Sequence, residues 1–186
     1  MRFIVIVLQT PRLIVRNWHD ADLPAFADLN ADPDVMAHFP ATLTREQSDA
    51  LANRLRQRMD DHGFGLWAVQ CLEATGKEGD FIGFVGLNRV PFEADFTPAV
   101  EIAWRLARPF WGRGYAIEAA RACVAHGFGT LNLPRIDAFT VPANVRSRRV
   151  METLGMRYAG EFEHPLLPPG HALRCHVRYQ LERPNP

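Results

Sequence analysis

A chain of 186 residues and 21.0 kDa is long enough to bury one hydrophobic core without disulfides or a structural metal, and short for two domains. With 47% hydrophobic and 23% charged residues it lacks the composition of disorder, and 21 basic residues against 21 acidic ones leave no net charge to draw it to nucleic acid or an anionic membrane. Any anion site must be local.

The first apolar run, residues 3–8, is far shorter than the ~20 residues of a membrane span. No small-residue cleavage site follows it, so a cytoplasmic chain is expected. Residues 12–16 read as a strand through Leu13, Ile14 and Val15, and residues 20–30 as an amphipathic helix with Leu23, Phe26 and Leu29 on its stripe. After a loop marked by Pro33 and Pro40, Thr44 and Gln47 make a capping-box pattern. It opens a helix to about residue 60, with Leu51, Leu55 and Met59 on one face, which Gly63 and Gly65 end. Residues 66–71 and 81–88 are β-rich and flank the turn-forming stretch 75–80, which predicts an antiparallel hairpin. A strand at 99–106 follows the irregular loop 91–98. Beyond Gly112-Arg113-Gly114 the period becomes helical, with Ile117, Ala120, Val124 and Phe128 on one face until Gly127 and Gly129 weaken it. Residues 135–141 form a strand, Asn144 starts a short helix that Gly155 stops, and 158–163 and 175–181 are closing strands around the Pro-rich loop 165–170. The order β-α-α-β-β-β-α-β-α-β-β predicts a mixed α/β (α+β) sheet in one domain over residues 1–186. Cys71, Cys123 and Cys175 form no CxxC and cannot all pair, so they are expected as small core residues.

The most informative stretch is Trp111-Gly112-Arg113-Gly114-Tyr115-Ala116, between a strand and an amphipathic helix. Two glycines admit a ligand close to the backbone, and the helix start offers amide donors and a favourable dipole for an anion such as a pyrophosphate, with Arg108 and Arg113 as added charge. A bare Gly-x-Gly is also a plain connecting turn. A dinucleotide fingerprint is disfavoured because Ile117 stands where its third glycine is needed, and no Gly-Lys-Ser/Thr of a Walker loop is present.

Taken with other motifs, this stretch resembles the GNAT superfamily of acyl-CoA-dependent N-acyltransferases, and within it the RimJ/RimL-like branch that acetylates protein N-termini. The resemblance runs from Thr10-Pro-Arg-Leu-Ile-Val-Arg16 through Asp32-Pro-Asp-Val-Met36 and Trp111-Gly-Arg-Gly-Tyr-Ala-Ile-Glu118 to Asn144-Val-Arg-Ser147 and Leu154-Gly-Met156. It implies a mostly antiparallel seven-stranded sheet with helices on both faces and a splayed central strand pair. The superfamily pyrophosphate loop, Q/R-x-x-G-x-G/A, falls on Trp111 to Ala116, with Trp111 in place of the usual Gln or Arg. The resemblance further implies acetyl-CoA as cosubstrate, with the amides of Arg113, Gly114 and Ala116 on the pyrophosphate. Gly112 and Tyr115 would complete that loop, and the edge amides of Ile102 and Trp104 would serve the pantetheine arm and the thioester carbonyl. No metal is required. Dimerisation is likewise implied by the resemblance alone.

Glu101 is a carboxylate inside the otherwise apolar 99–104 stretch. In a partly dry setting its pKa rises, and it would take a proton from an amine; on the opposite reading it is a solvated residue alternating with buried Val100, Ile102 and Trp104. Asn144 suits a helix N-cap, and by resemblance also touches the cofactor arm, while Ser147 is placed to protonate the leaving thiolate. The tyrosine that many relatives use for this falls on Met151, which leaves the general acid open and makes a non-catalytic acyl-CoA sensor the alternative to an enzyme. Arg149, with Arg146 and Arg148, offers charge for the 3′-phosphate, against a plain solvated helix face. His171, Cys175 and His176 lack metal-ligand spacing, and Cys123 reads as core, not as a nucleophile. The acceptor side, an amine or peptide, is expected from segments 19–62, 91–98 and 164–171, with Glu93, Asp95 and Glu163 as candidate attractors of a cationic amine.

Overall fold

The computed structural model describes residues 5–72 and 80–184. The strands are β1 (Ile6–Gln9), β2 (Leu13–Arg16), β3 (Leu66–Cys71), β4 (Asp80–Arg89), β5 (Val100–Leu106), β6 (Arg135–Thr140), β7 (Arg157–Glu163) and β8 (Cys175–Glu182). The helices are α1 (Leu23–Ala31), α2 (Arg45–His62), α3 (Tyr115–Gly129) and α4 (Val145–Thr153). One eight-stranded sheet has the order β1-β2-β3-β4-β5-β6-β8-β7. The expected mixed, mostly antiparallel architecture is present, with one strand more than the expected seven. The added strand, β1, pairs with β2 through a tight reversal at residues 10–12, a register too short to show as a period-2 pattern. Residues 75–79 of the expected hairpin turn lie outside the described residues, although β3 and β4 pair antiparallel as expected.

Local chemistry accounts for the helix ends. Thr44 and Gln47 form the reciprocal capping box, Gln47 N–H donating to Thr44 Oγ1 at 3.3 Å and Thr44 N–H to Gln47 Oε1 at 2.9 Å. Helix α3 runs through Gly127 and does not weaken there, because a Cβ at that position would meet Ile136 Cδ1 at 2.9 Å. The glycine lets the helix lie close on β6.

The sheet separates two apolar clusters. On one face, Leu13, Val15, Val69, Val85, Leu87, Ile102, Ile136 and Ala138 pack with Ala119, Ala120 and Cys123 of α3 and Met151 of α4. On the other, Trp18, Leu66, Ala68 and Phe84 pack with Phe26 and Leu29 of α1 and Ala52 and Leu55 of α2. Strand β5 forms seven antiparallel pairs with β4 but a single parallel bridge, Glu101 to Asp137, with β6. The central strands therefore part beyond Glu101, leaving one edge of residues 103–106 without a strand partner. Among the described residues no helix is long and apolar enough to cross a membrane.

Candidate active site

Past β5 the chain makes a short 3-10 turn over Arg108–Phe110 and bends into α3. Gly112 and Gly114 adopt φ of 71° and 81°, a left-handed conformation that side chains rarely tolerate. Gly114 is the N-cap of α3 and provides no side-chain cap, and the first helical bond runs from Glu118 N–H to Gly114 C=O at 3.0 Å. The amides ahead of it have no acceptor inside the helix, and the positive end of the helix dipole is aimed at the bend. A Cβ on Gly112 would meet nothing within 4 Å. The bend therefore presents backbone donors beside open space, which is what a pyrophosphate requires.

Two devices hold this bend. Trp111 Nε1–H donates to Leu106 C=O at 2.7 Å, and the Arg146 guanidinium lies 4.6 Å over the Trp111 ring, joining α4 to the loop. The second device is absent from any local sequence pattern. Glu118 accepts from Thr10 Oγ1 at 2.6 Å, from the Arg12 amide at 3.1 Å and from Arg12 Nε at 2.6 Å, while Arg12 Nη1 donates to Arg113 C=O at 3.0 Å. Burial pushes the Glu118 carboxyl up, but the bonds from Thr10 and Arg12 outweigh it and hold the group below its ordinary range. The β1–β2 reversal is thus clamped to the glycine bend.

The remaining basic candidates are placed unevenly. Arg108 pairs with Asp34 at 2.5 Å on the α1–α2 connection, Arg148 donates to Tyr179 Oη and Pro142 C=O, and Arg149 is exposed. Asn144 accepts from Ser147 N–H at 3.2 Å and donates to Thr140 Oγ1 at 2.9 Å, so it caps α4 and ties it to the end of β6. Ser147 is half-buried in the first turn of α4, whereas Met151 is sealed in the core. Ile102 is buried and Trp104 half-buried against the α3 cluster, so their backbones follow the parting edge.

Glu101 leaves β5 on the opposite face. It accepts from Asn88 Nδ2 at 3.1 Å on the paired position of β4, and it feels the charge of Arg58 on α2. Burial raises its pKa to about 7, against the lowering effects of Asn88 and Arg58. Some surface remains accessible, as for a side chain lining a cleft. A carboxylate of this pKa is matched to proton abstraction near neutral pH. Asn88 and Arg58 went unread in the sequence; the one available signal was a polar Asn closing an apolar strand.

Beyond Glu101 the two loops expected on the acceptor side do meet. Phe92 and Phe96 pack with Phe139, Phe162, His164 and His176, with His164 and His176 ring centroids 4.9 Å apart. Burial and the neighbouring His176 lower the His164 pKa to about 4, so the cluster is uncharged at neutral pH. Asp137, fully buried, ion-pairs with Arg135 and Arg178 at 2.7 Å each; Arg135 donates to Phe96 C=O and Arg178 lies 4.8 Å over the Phe96 ring. This network pins the loop above the strand that bears Glu101. Glu163 ion-pairs with Arg174. Cys123 is buried in α3, and burial pushes its thiol up to about 12, which removes it as a nucleophile. Among the described residues no three His, Cys, Asp or Glu side chains converge as a metal site. A cavity of about 730 Å³ lies elsewhere, between α1 and residues 107–110, lined by neither Glu101 nor the glycine bend.

Comparison with known proteins places this geometry. Residues 12–157 match the acetyltransferase (GNAT) domain family. The uncharacterized protein YkkB of Bacillus subtilis is 33% identical over 153 residues, covering 82% of this chain and 86% of YkkB. The uncharacterized N-acetyltransferase YnaD of the same organism is 31% identical over 157 residues, covering 84% and 85%. Among solved structures, an acetyltransferase from Agrobacterium tumefaciens superposes with a TM-score of 0.76 at 28% identity, covering 98% of this chain and 97% of that one.

Proposed function

Because the chain belongs to the GNAT acetyltransferase family and is therefore an N-acetyltransferase that draws on acetyl-CoA, we propose that its acceptor is a primary amine, in first place the α-amine of a peptide or protein, acetylated by direct transfer. The observation that carries this reading is Glu101, a carboxylate with a pKa of about 7 on the strand that parts from β6. When bound, acetyl-CoA supplies an activated acetyl thioester. The amides of Arg113, Gly114 and Ala116 hold its pyrophosphate, Gly112 and Tyr115 shape the bend, and Trp111 stands behind it. The edge amides of Ile102 and Trp104 receive the arm and polarise the carbonyl as charge grows on its oxygen. Asn144 orients the start of α4, and Arg113 and Arg149 add positive potential, whereas the expected contribution of Arg108 is offset by its ion pair with Asp34.

Glu101 takes the proton from the acceptor ammonium, directly or through a water, and Ser147 or water returns one to the thiolate. Met151 has no proton to give. An α-amine, with a pKa near ~7.7 to 8.0, is far easier to deprotonate by a group of this kind than a lysine near ~10.4. That preference and the motif likeness to the RimJ/RimL-like branch support an N-terminal acceptor. A cytoplasmic setting is supported by the three unpaired cysteines. The test is mass spectrometry of products formed from acetyl-CoA with mixed peptides, polyamines and aminoglycosides. N-terminally acetylated peptides are expected, and acetylation confined to polyamines or aminoglycosides would overturn the acceptor assignment.

A further inference from the structure

Four residues along β5 from Glu101, and therefore on the same face of the sheet, stands Arg105. Its surroundings are unusual for a cation. Nη1 donates to Asn30 Oδ1 at 2.6 Å, and the guanidinium carbon lies 4.1 Å from the Phe39 ring centroid and 5.4 Å from that of Phe84. Nε is sealed from water with no acceptor. Among the described residues no carboxylate lies within ion-pairing distance of it. Asn30 is itself fully buried, and its amide nitrogen donates to the buried Ser48 hydroxyl of α2 at 2.9 Å, so its oxygen is committed to Arg105. The guanidinium is thus built in by neutral partners. Burial lowers its pKa to about 10, still far above neutrality, so the charge persists. The residue nonetheless keeps accessible surface, and Phe39 above it is 39% exposed.

A buried charge held only by neutral groups is costly unless an opposite charge arrives. Of the other basic side chains near the site, Arg108 pairs with Asp34, Arg146 lies over Trp111, and Arg58 of α2 acts on Glu101, which leaves Arg105 as the cation sealed in by neutral groups alone. Arg105 leaves β5 on the face that also bears Glu101, away from the glycine bend, and lies against Phe39 of the α1–α2 connection. We propose that Arg105 is the specificity residue of the acceptor site, and that the acceptor is a primary amine carrying a carboxylate, such as an acidic peptide, whose anion completes the guanidinium's missing ion pair. This deepens the amine-transfer reading and rests on it. The same charge repels polyamines.

The test has two arms, one of which needs no turnover. With acetyl-CoA, thiol release is measured for the tripeptide amides Ser-Glu-Ala and Ser-Gln-Ala, which differ by one carboxylate. The wild-type protein is expected to favour the Glu peptide in kcat/KM by about 10-fold or more, and Arg105→Gln to bring the ratio near one with the acetyl-CoA Kd unchanged. Arg105→Lys, which keeps the charge but not the fork, should retain part of the preference. Separately, binding of glutarate to the CoA-saturated protein is followed by calorimetry, and is expected for wild type and lost in Arg105→Gln. Equal use of both peptides by wild type, or glutarate binding that survives in a folded Arg105→Gln, overturns the proposal while leaving amine transfer in place. Glutarate binding that depends on Arg105 without thiol release from any amine upholds the anion site and overturns amine transfer.

Discussion

The two faces of β5 are built by different means. Ile102, Trp104 and Leu106 look toward α3, whose N-terminus presents backbone amides at the Gly112–Gly114 bend, braced by side chains, as the proposed anion site. Glu101 and Arg105 look toward α1 and α2, Glu101 beside Asn88 of β4 and Arg58 of α2, and Arg105 among Asn30 of α1, Phe39 and Phe84 of β4, as the two ionisable side chains of the proposed acceptor side. A face built from main chain tolerates changes of side chain; one built from two charges in a half-dry cleft does not. The lesson is that the proposed cofactor grip and the proposed acceptor choice fall on opposite faces of a single strand and can be tested separately.

That separation is most exposed at Glu101. Glu101→Gln should lower kcat by about 100-fold or more with the acetyl-CoA Kd unmoved, as read by thiol release and calorimetry; turnover equal to wild type from pH 6 to 9 would remove Glu101 from the reaction. Gly114→Val should do the reverse. At φ 81° it strains the bend and brings a branched side chain toward the amides, so acetyl-CoA binding should weaken by about 10- to 100-fold in a variant whose circular dichroism is unchanged. A smaller effect is expected at the brace. Glu118→Gln keeps the shape but loses the charge that holds Thr10 and Arg12, and should raise the KM for acetyl-CoA by about 3- to 10-fold with kcat nearly constant.

The smallest effect is in stability. Since Glu101 has its pKa raised from 4.5 to about 7 in the folded state, ionising it disfavours the fold. Its contribution is fully present below pH 4.5 and lost as pH rises through about 7. Glu101→Gln should therefore unfold at higher denaturant than wild type at pH 8, by on the order of 1–2 kcal/mol, and match it near pH 4. The same titration predicts a rising limb in kcat/KM centred near 7, absent from the Gln variant.

The helices, the β3–β4 hairpin and the glycine bend were legible because their causes are local: Thr44 and Gln47 cap, Gly63 reverses, and Gly112 and Gly114 reach conformations other residues avoid. The raised pKa of Glu101 was legible only as one of two readings, since the alternation of β5 predicts which face a side chain leaves by but not what covers that face. Nothing in the local sequence marks Arg105. Its meaning depends on Asn30, which is 75 positions away, and on Ser48 behind it. The brace at Glu118 was hidden for the same reason.

Thr10 and Glu118 are 108 positions apart, yet the oxygen of one and the hydroxyl of the other decide how the glycine bend sits. Contacts of such separation close late, after neighbouring segments have collapsed. During refolding from urea, helical dichroism should thus recover before the capacity to retain coenzyme, and the lag between the two signals measures the arrival of the amino-terminal ribbon.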